Sequence, residues 1–198
     1  MTLETHLADD ELLRLTAGGN EQAFSTLYRR RQGAVYRFAL EMSGSSQIAE
    51  DVTQEVFMIL LRETGGYDAK RGPLASYLYG IARRLVWRHL ARQLPQLPVS
   101  EEGHEDTRTP EHLIAQTDVE RDLVRGETVR SVRRAIVALP AGYREAVVLC
   151  DLHELTYGEA ARVLGCAVGT VRSRLHRART LLAQRLGAKN SSSAGCLV

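Results

Sequence analysis

The stretch from Leu155 to Leu186, LTYGEAARVLGCAVGTVRSRLHRARTLLAQRL, constrains the fold of this chain most. Thr156 and Glu159 stand at the spacing of a capping box, in which a hydroxyl and a carboxylate each satisfy a backbone N–H left unpaired by the first helical turn. A helix is therefore expected from Tyr157. Ala160, Ala161, Val163 and Leu164 give it an apolar side, and Gly165 supplies the left-handed residue that ends it. A second helix is expected after Cys166-Ala167-Val168-Gly169, because Val171, Leu175, Ala178 and Leu182 recur at i, i+4, i+7 and i+11 as one inward stripe. Ser173, His176, Arg177 and Thr180 face the other way, with Arg172, Arg174 and Arg179 on the flanks. A helix anchored by a single apolar stripe, carrying six cations from Arg172 to Arg185 when His176 is protonated, suits a groove lined by phosphates. Ser, His and Arg at its outer start can reach base edges. The pair reads as a helix-turn-helix whose second helix recognises duplex DNA.

Charge is laid out unevenly along the 198 residues. Residues 1–94 carry 12 Lys/Arg against 11 Asp/Glu, residues 95–124 carry 2 against 8, and residues 125–198 carry 12 against 5. A basic final third after an acidic spacer fits a chain whose end binds nucleic acid. The opening, MTLETHLADDELL, has acids where a secretory leader would have cations, so no leader is expected. No run approaches the ~20 apolar residues of a membrane span, so no membrane insertion and a cytoplasmic location are expected. Cys150, Cys166 and Cys196 are far apart and odd in number, which suits reduced thiols. Cys150-x-x-His153, with Cys166 and His176 downstream, lacks a second paired ligand set, so neither a metal nor any other cofactor is assigned.

The first part of the chain reads as a helical bundle. Asp9 and Asp10 open a short helix through Leu12, Leu13 and Leu15 that closes at Gly18-Gly19. Asn20 caps a longer one, with Phe24, Leu27, Tyr28, Val35, Phe38 and Met42 inward and Gly44 at its end. From Ser46 a third helix turns Ile48, Val52, Val56, Ile59 and Leu60 inward, while Asp51, Gln54, Glu55 and Met58 form another face. After the loop Gly65–Pro73, Leu74, Leu78, Ile81 and Leu85 make the stripe of a fourth helix. Arg83, Arg84, Trp87, Arg88 and Arg92 crowd its other sides. Cations beside an aromatic are what melted DNA requires, charge for phosphates and a flat face for unstacked bases. Tyr67, Tyr77 and Tyr79 are further candidate stacking surfaces.

Four segments occur in order: AEDVTQEVF (Ala49–Phe57), YLYGIARR (Tyr77–Arg84), LPAGYREAVVL (Leu139–Leu149) and GTVRSRLHRAR (Gly169–Arg179). Together they resemble an extracytoplasmic-function sigma factor, the small two-domain class of the sigma-70 family. The resemblance implies an all-α protein of two small helical domains joined by a flexible acidic linker. Region 2 would span residues 8–93, the linker 94–118 and the region 4 helix-turn-helix 119–187, followed by a disordered tail at 188–198. It implies a promoter-specificity subunit, with core RNA polymerase, promoter DNA and an anti-sigma factor as partners, and no catalysis of its own. Asp51, Gln54, Glu55 and Phe57 would bind core polymerase, on the β′ clamp helices, with the β subunit a further contact. Tyr67, Tyr77, Arg83, Arg84, Trp87 and Arg88 would melt and read the −10 element. Arg172, Ser173, His176 and Arg177 would read the −35 element. The chain departs from the family pattern at Tyr77, where Trp is usual, and at Arg84, where Asn is usual. A stand-alone helix-turn-helix regulator, or a helical module that sequesters a protein, would account for only part of this pattern.

The spacer Leu94–Thr109 is acidic, with two prolines, and reads as disordered. Its sixteen residues reach roughly 50 Å, more than one ~34 Å turn of DNA. Thr109-Pro110-Glu111 is a helix-start signal, with intermittent helix expected through Leu113, Val119, Leu123, Val129, Val132 and Ile136 to Leu139-Pro140, then another from Arg144 to about His153.

Overall fold

The computed structural model describes residues 6–93 and 125–193; the acidic spacer, the helix-start signal at Thr109 and Cys196 lie outside them. All regular structure among the described residues is helical. In the first domain, α1 is Asp9–Ala17, α2 Glu21–Ser43, α3 Ser46–Arg62 and α4 Leu74–Gln93. In the second, α5 is Arg125–Val137, α6 Ala141–Val147, α7 Tyr157–Leu164 and α8 Val168–Ser193.

The helix ends follow from local chemistry. The Asn20 side chain accepts from the N–H groups of Gln22 and Ala23, and Ser45 accepts from that of Ile48. Gly44 ends α2 in the left-handed region at φ 73°, where its bare Cα also lets Val137 of the second domain approach closely. Between α3 and α4, two short 3-10 turns, Thr64–Gly66 and Ala69–Arg71, shape the glycine-rich loop. The capping box forms as expected: Glu159 N–H donates to the Thr156 hydroxyl, and the Glu159 carboxylate accepts from the Thr156 N–H at 2.8 Å.

The first domain wraps α2, α3 and α4 around a core that includes Leu27, Phe38, Met42, Val52, Val56 and Leu60, all 0% exposed. Each such side chain contributes about 1.5–3 kcal/mol by leaving water. The expected stripe of α4 (Leu74, Leu78, Ile81 and Leu85) is buried in full. In the second domain, Val171, Leu175 and Ala178 of α8 are buried, and α8 packs on α5, α6 and α7.

Two expectations shift. The helix placed from Arg144 starts at Ala141 and runs into a single π turn, Val148–Leu152, before His153. α8 continues past Gly187 to Ser193, because nothing in Ala188-Lys189-Asn190 breaks a helix already under way. The two domains also meet directly, α4 against α7 and α2 against α5 and the π turn.

Candidate functional site

Three surfaces carry the chemistry. On α3, Asp51 and Gln54 are exposed, Glu55 is half-buried and Met58 is 48% exposed, a polar face with one apolar knob. Phe57, expected to contact a partner from the same helix, is instead 2% exposed. Its ring is edge-on to Tyr28 at 4.8 Å and to Phe24 at 6.4 Å, so in this conformation it fixes α3 to α2. The Oε1 atom of Glu55 accepts from Arg88 Nη2 at 2.6 Å, which ties the α3 face to α4.

The second surface is the loop before α4 and the outer side of α4. Gly66, Tyr67, Ser76, Tyr77, Gly80 and Arg84 line a cleft of about 320 Å³. The Tyr67 hydroxyl donates to Asp10 Oδ1 at 2.6 Å, and burial together with that carboxylate raises its pKa. Tyr77 packs against Tyr67 at 5.6 Å, and its hydroxyl lies where a Cβ on residue 66 would stand, so Gly66 makes room for it. Ser76 is buried on this cleft, and its hydroxyl has no hydrogen-bond partner among the described residues. Arg84 and Arg88 are exposed, and Arg83 and Trp87 are half-buried. Tyr79, named with the other tyrosines as a stacking candidate, is 6% exposed and packs on Phe38 and His153; it belongs to the core.

The third surface is the outer face of α8. Arg172, Ser173, His176 and Arg177 are all exposed on it, opposite the buried stripe of Val171, Leu175 and Ala178. The Arg172 guanidinium lies 5.6 Å from the centre of the Tyr157 ring, which supports it from α7. Arg179 sits to the side, bound to Asp151 at 2.6 Å, and this carboxylate raises its pKa.

Residues 27–94 match the family Sigma-70 region 2, and residues 130–182 match Sigma-70, region 4. The RNA polymerase sigma-H factor of Pseudomonas aeruginosa is 33% identical over 187 residues, covering 92% of this chain and 95% of that protein. The ECF RNA polymerase sigma factor SigM of Mycobacterium tuberculosis is 34% identical over 188 residues, covering 93% and 87%. Among solved structures, CnrH in complex with the cytosolic domain of CnrY gives a TM-score of 0.68 at 27% identity over 92% of this chain and 99% of that one. The sigma factor RpoE of Bartonella quintana, in complex with the anti-sigma factor NepR, gives 0.60 at 25% identity over 83% and 96%. The chain belongs to the extracytoplasmic-function sigma factors of the sigma-70 family.

In this sigma factor the two domains share a polar interface that the sequence did not announce. Glu145 of α6 is 4% exposed, and its Oε1 accepts from Arg83 Nε at 2.5 Å and Trp87 Nε1 at 2.7 Å. Arg144 is 3% exposed; it donates to the Met42 carbonyl at 2.7 Å and the Leu139 carbonyl at 3.2 Å, and its guanidinium lies 5.7 Å from the centre of the Trp87 ring. Burial pushes the Arg144 pKa down to about 10, against the opposing pull of Glu145, so it stays charged at neutral pH. His153 lies between Glu41 (Nε2, 2.8 Å) and the Tyr79 hydroxyl (Nδ1, 3.0 Å), and the tautomer protonated on Nε2 satisfies both. Arg162 of α7 donates to the Arg71 carbonyl at the mouth of the cleft. The one available sequence signal was the Arg144-Glu145 doublet inside an otherwise apolar run, since buried charges require partners.

Proposed function

We propose that this sigma factor binds core RNA polymerase through the α3 face, opens and reads the −10 element with the loop and outer side of α4, and reads the −35 element with α8. The observation that carries the reading is the segregation of chemistry on two well-packed domains. Asp51 and Gln54 present an acidic and amide surface unsuited to DNA, whereas α8 presents Arg172, Ser173, His176 and Arg177 from a helix held by a buried stripe. Tyr67, Tyr77, Arg83, Arg84, Trp87 and Arg88 supply rings and cations for a single strand. Arg84, which lines the cleft, adds a charged donor where a flipped base would enter. The chain makes and breaks no bonds itself; polymerase carries the chemistry. Among the described residues no helix is long and apolar enough to cross a membrane. The neighbour solved with the anti-sigma factor NepR supports a partner of that kind here.

The test is promoter-dependent run-off transcription with purified core enzyme. The double variant Asp51→Ala/Gln54→Ala is expected to lose core association and transcription together. The double variant Arg172→Ala/Arg177→Ala is expected to keep core association and lose −35-dependent initiation, each lost base contact costing about 1–3 kcal/mol. Tight binding of the wild type to duplex DNA with no association to core would replace this reading with that of a stand-alone regulator.

A further inference from the structure

We infer that Asp10 of α1 is a positioning residue for −10 recognition: its carboxylate holds the Tyr67 hydroxyl, sets that ring against Tyr77, and leaves Tyr67 to read the strand by its ring face rather than by its hydroxyl. This rests on the assignment of Tyr67 and Tyr77 to the −10 element.

The loop between α3 and α4 has little of its own to hold these rings. It carries Gly65, Gly66 and Gly72. Its backbone hydrogen bonds, from Gly66 to Glu63, Arg71 to Asp68 and Gly72 to Ala69, each reach back three residues. Such bonds curl the chain locally and fasten it to no other element. Tyr67 supplies an attachment. Its hydroxyl donates to Asp10 Oδ1 at 2.6 Å, 57 positions away in sequence, and the Gly72 carbonyl lies 3.1 Å from the same hydroxyl. One side chain thus joins the start of the loop, its far end and α1. The Tyr77 ring lies 5.6 Å from that of Tyr67, and its hydroxyl occupies the space that a Cβ on Gly66 would need. A shift of Tyr67 therefore displaces Tyr77 as well.

α1 is a firm anchor. It packs on α2 through the buried Leu12 and Leu13. Asp9, next to Asp10, pairs with Arg30 at 2.8 Å and with Arg31, and the Leu7 carbonyl accepts from Arg30 at 2.8 Å, so the first turn of α1 is fixed to α2. Asp10 itself is exposed on that turn, and its carboxylate adds little to the core. A phenol has one proton to donate. Held by Asp10, that proton is not offered to a base edge, and the carboxylate and burial both raise the Tyr67 pKa, which keeps the hydroxyl a donor. Stacking on the ring face needs no hydroxyl. A ring fixed before the strand arrives does not have to be ordered at the moment of binding.

The experiment uses the full-length protein bound to core polymerase, with forked −10 DNA carrying 2-aminopurine at each unpaired position in turn. It measures affinity and 2-aminopurine emission, which is quenched when the base stacks. Asp10→Ala and Tyr67→Phe are each expected to weaken binding by about three- to tenfold, the effect of one lost hydrogen bond, and to relieve quenching at the same position. The double variant should bind no more weakly than either single one, because both remove the same bond. Asp10→Asn, which keeps an acceptor oxygen, should restore affinity and quenching. Core association should be unchanged in all of them. Tyr67→Phe leaves α1 untouched, so it preserves the test if Asp10→Ala disturbs the first turn. Wild-type affinity and quenching in Asp10→Ala or in Tyr67→Phe overturn the proposal, as does an additive loss in the double variant or a loss in Asp10→Asn equal to that in Asp10→Ala. Tyr67→Ala separates this proposal from the reading beneath it. If Tyr67→Ala binds forked DNA like the wild type, the −10 assignment of Tyr67 falls and takes the proposal with it. If it binds weakly while Asp10→Ala and Tyr67→Phe do not, the assignment stands and the proposal alone falls.

Discussion

Arg88 donates to Glu55 at 2.6 Å, joining the helix assigned to polymerase with the helix assigned to the melted strand. Both side chains are substantially exposed, 45% and 39%, so the pair is screened by solvent and is worth less than about 1 kcal/mol to the fold. Arg88→Ala is therefore expected to leave the denaturant midpoint almost unchanged. Its cost should show in DNA binding by the polymerase-bound sigma factor, where the salt dependence of binding to forked −10 DNA should fall by roughly 0.7 in log–log slope, one single-strand phosphate contact. An unchanged slope would remove Arg88 from the DNA surface.

The capping box at the start of α7 gives a prediction about the helix-turn-helix itself. Thr156→Ala leaves the Glu159 N–H without its acceptor and should cost about 1 kcal/mol, read as a lower thermal midpoint and weaker −35-dependent initiation. Hydrogen bonds from the Thr156 hydroxyl and backbone lower the Glu159 pKa below its ordinary 4.5. A carboxylate whose folded pKa is depressed stabilises fully above its unfolded value, and that stabilisation is lost as pH falls through the folded one. The wild type should therefore lose this contribution below about pH 4.5, whereas Thr156→Ala should show a smaller acid-induced loss over the same range. Thermal melts of both proteins from pH 6 downward make the comparison.

Much of this molecule could be read from its sequence because local physics decided it. The stripes Leu74/Leu78/Ile81/Leu85 and Val171/Leu175/Ala178, the Asn20 cap, the left-handed Gly44 and Gly165, and the Thr156/Glu159 box all involve residues within a few positions of one another. What stayed hidden depends on separation. Glu145 meets Trp87 across 58 positions, and His153 meets Glu41 across 112, pairings that no helical period encodes. Tyr79 illustrates the same limit: its aromatic character suited either a stacking surface or a core, and only the packing of Phe38 and His153 around it decides.

Phe57 gives the sharpest contrast between a residue that touches a partner and one that holds the surface in place. It follows Gln54 and Glu55 closely in sequence, yet its ring is buried against Tyr28 and Phe24, while Asp51 and Gln54 reach water. Phe57→Ala should remove these contacts and open a cavity between α2 and α3, costing about 3–5 kcal/mol. Asp51→Ala/Gln54→Ala, a surface change, should stay within about 0.5 kcal/mol per site. Both variants should lose affinity for core polymerase, for different reasons that denaturation separates. Phe57→Leu, which refills most of the volume, is expected to recover most of the stability and, with it, core binding. A Phe57→Leu protein that folds as stably as the wild type yet fails to bind core would mean that the ring itself reaches the polymerase, and that α2 and α3 part when it does.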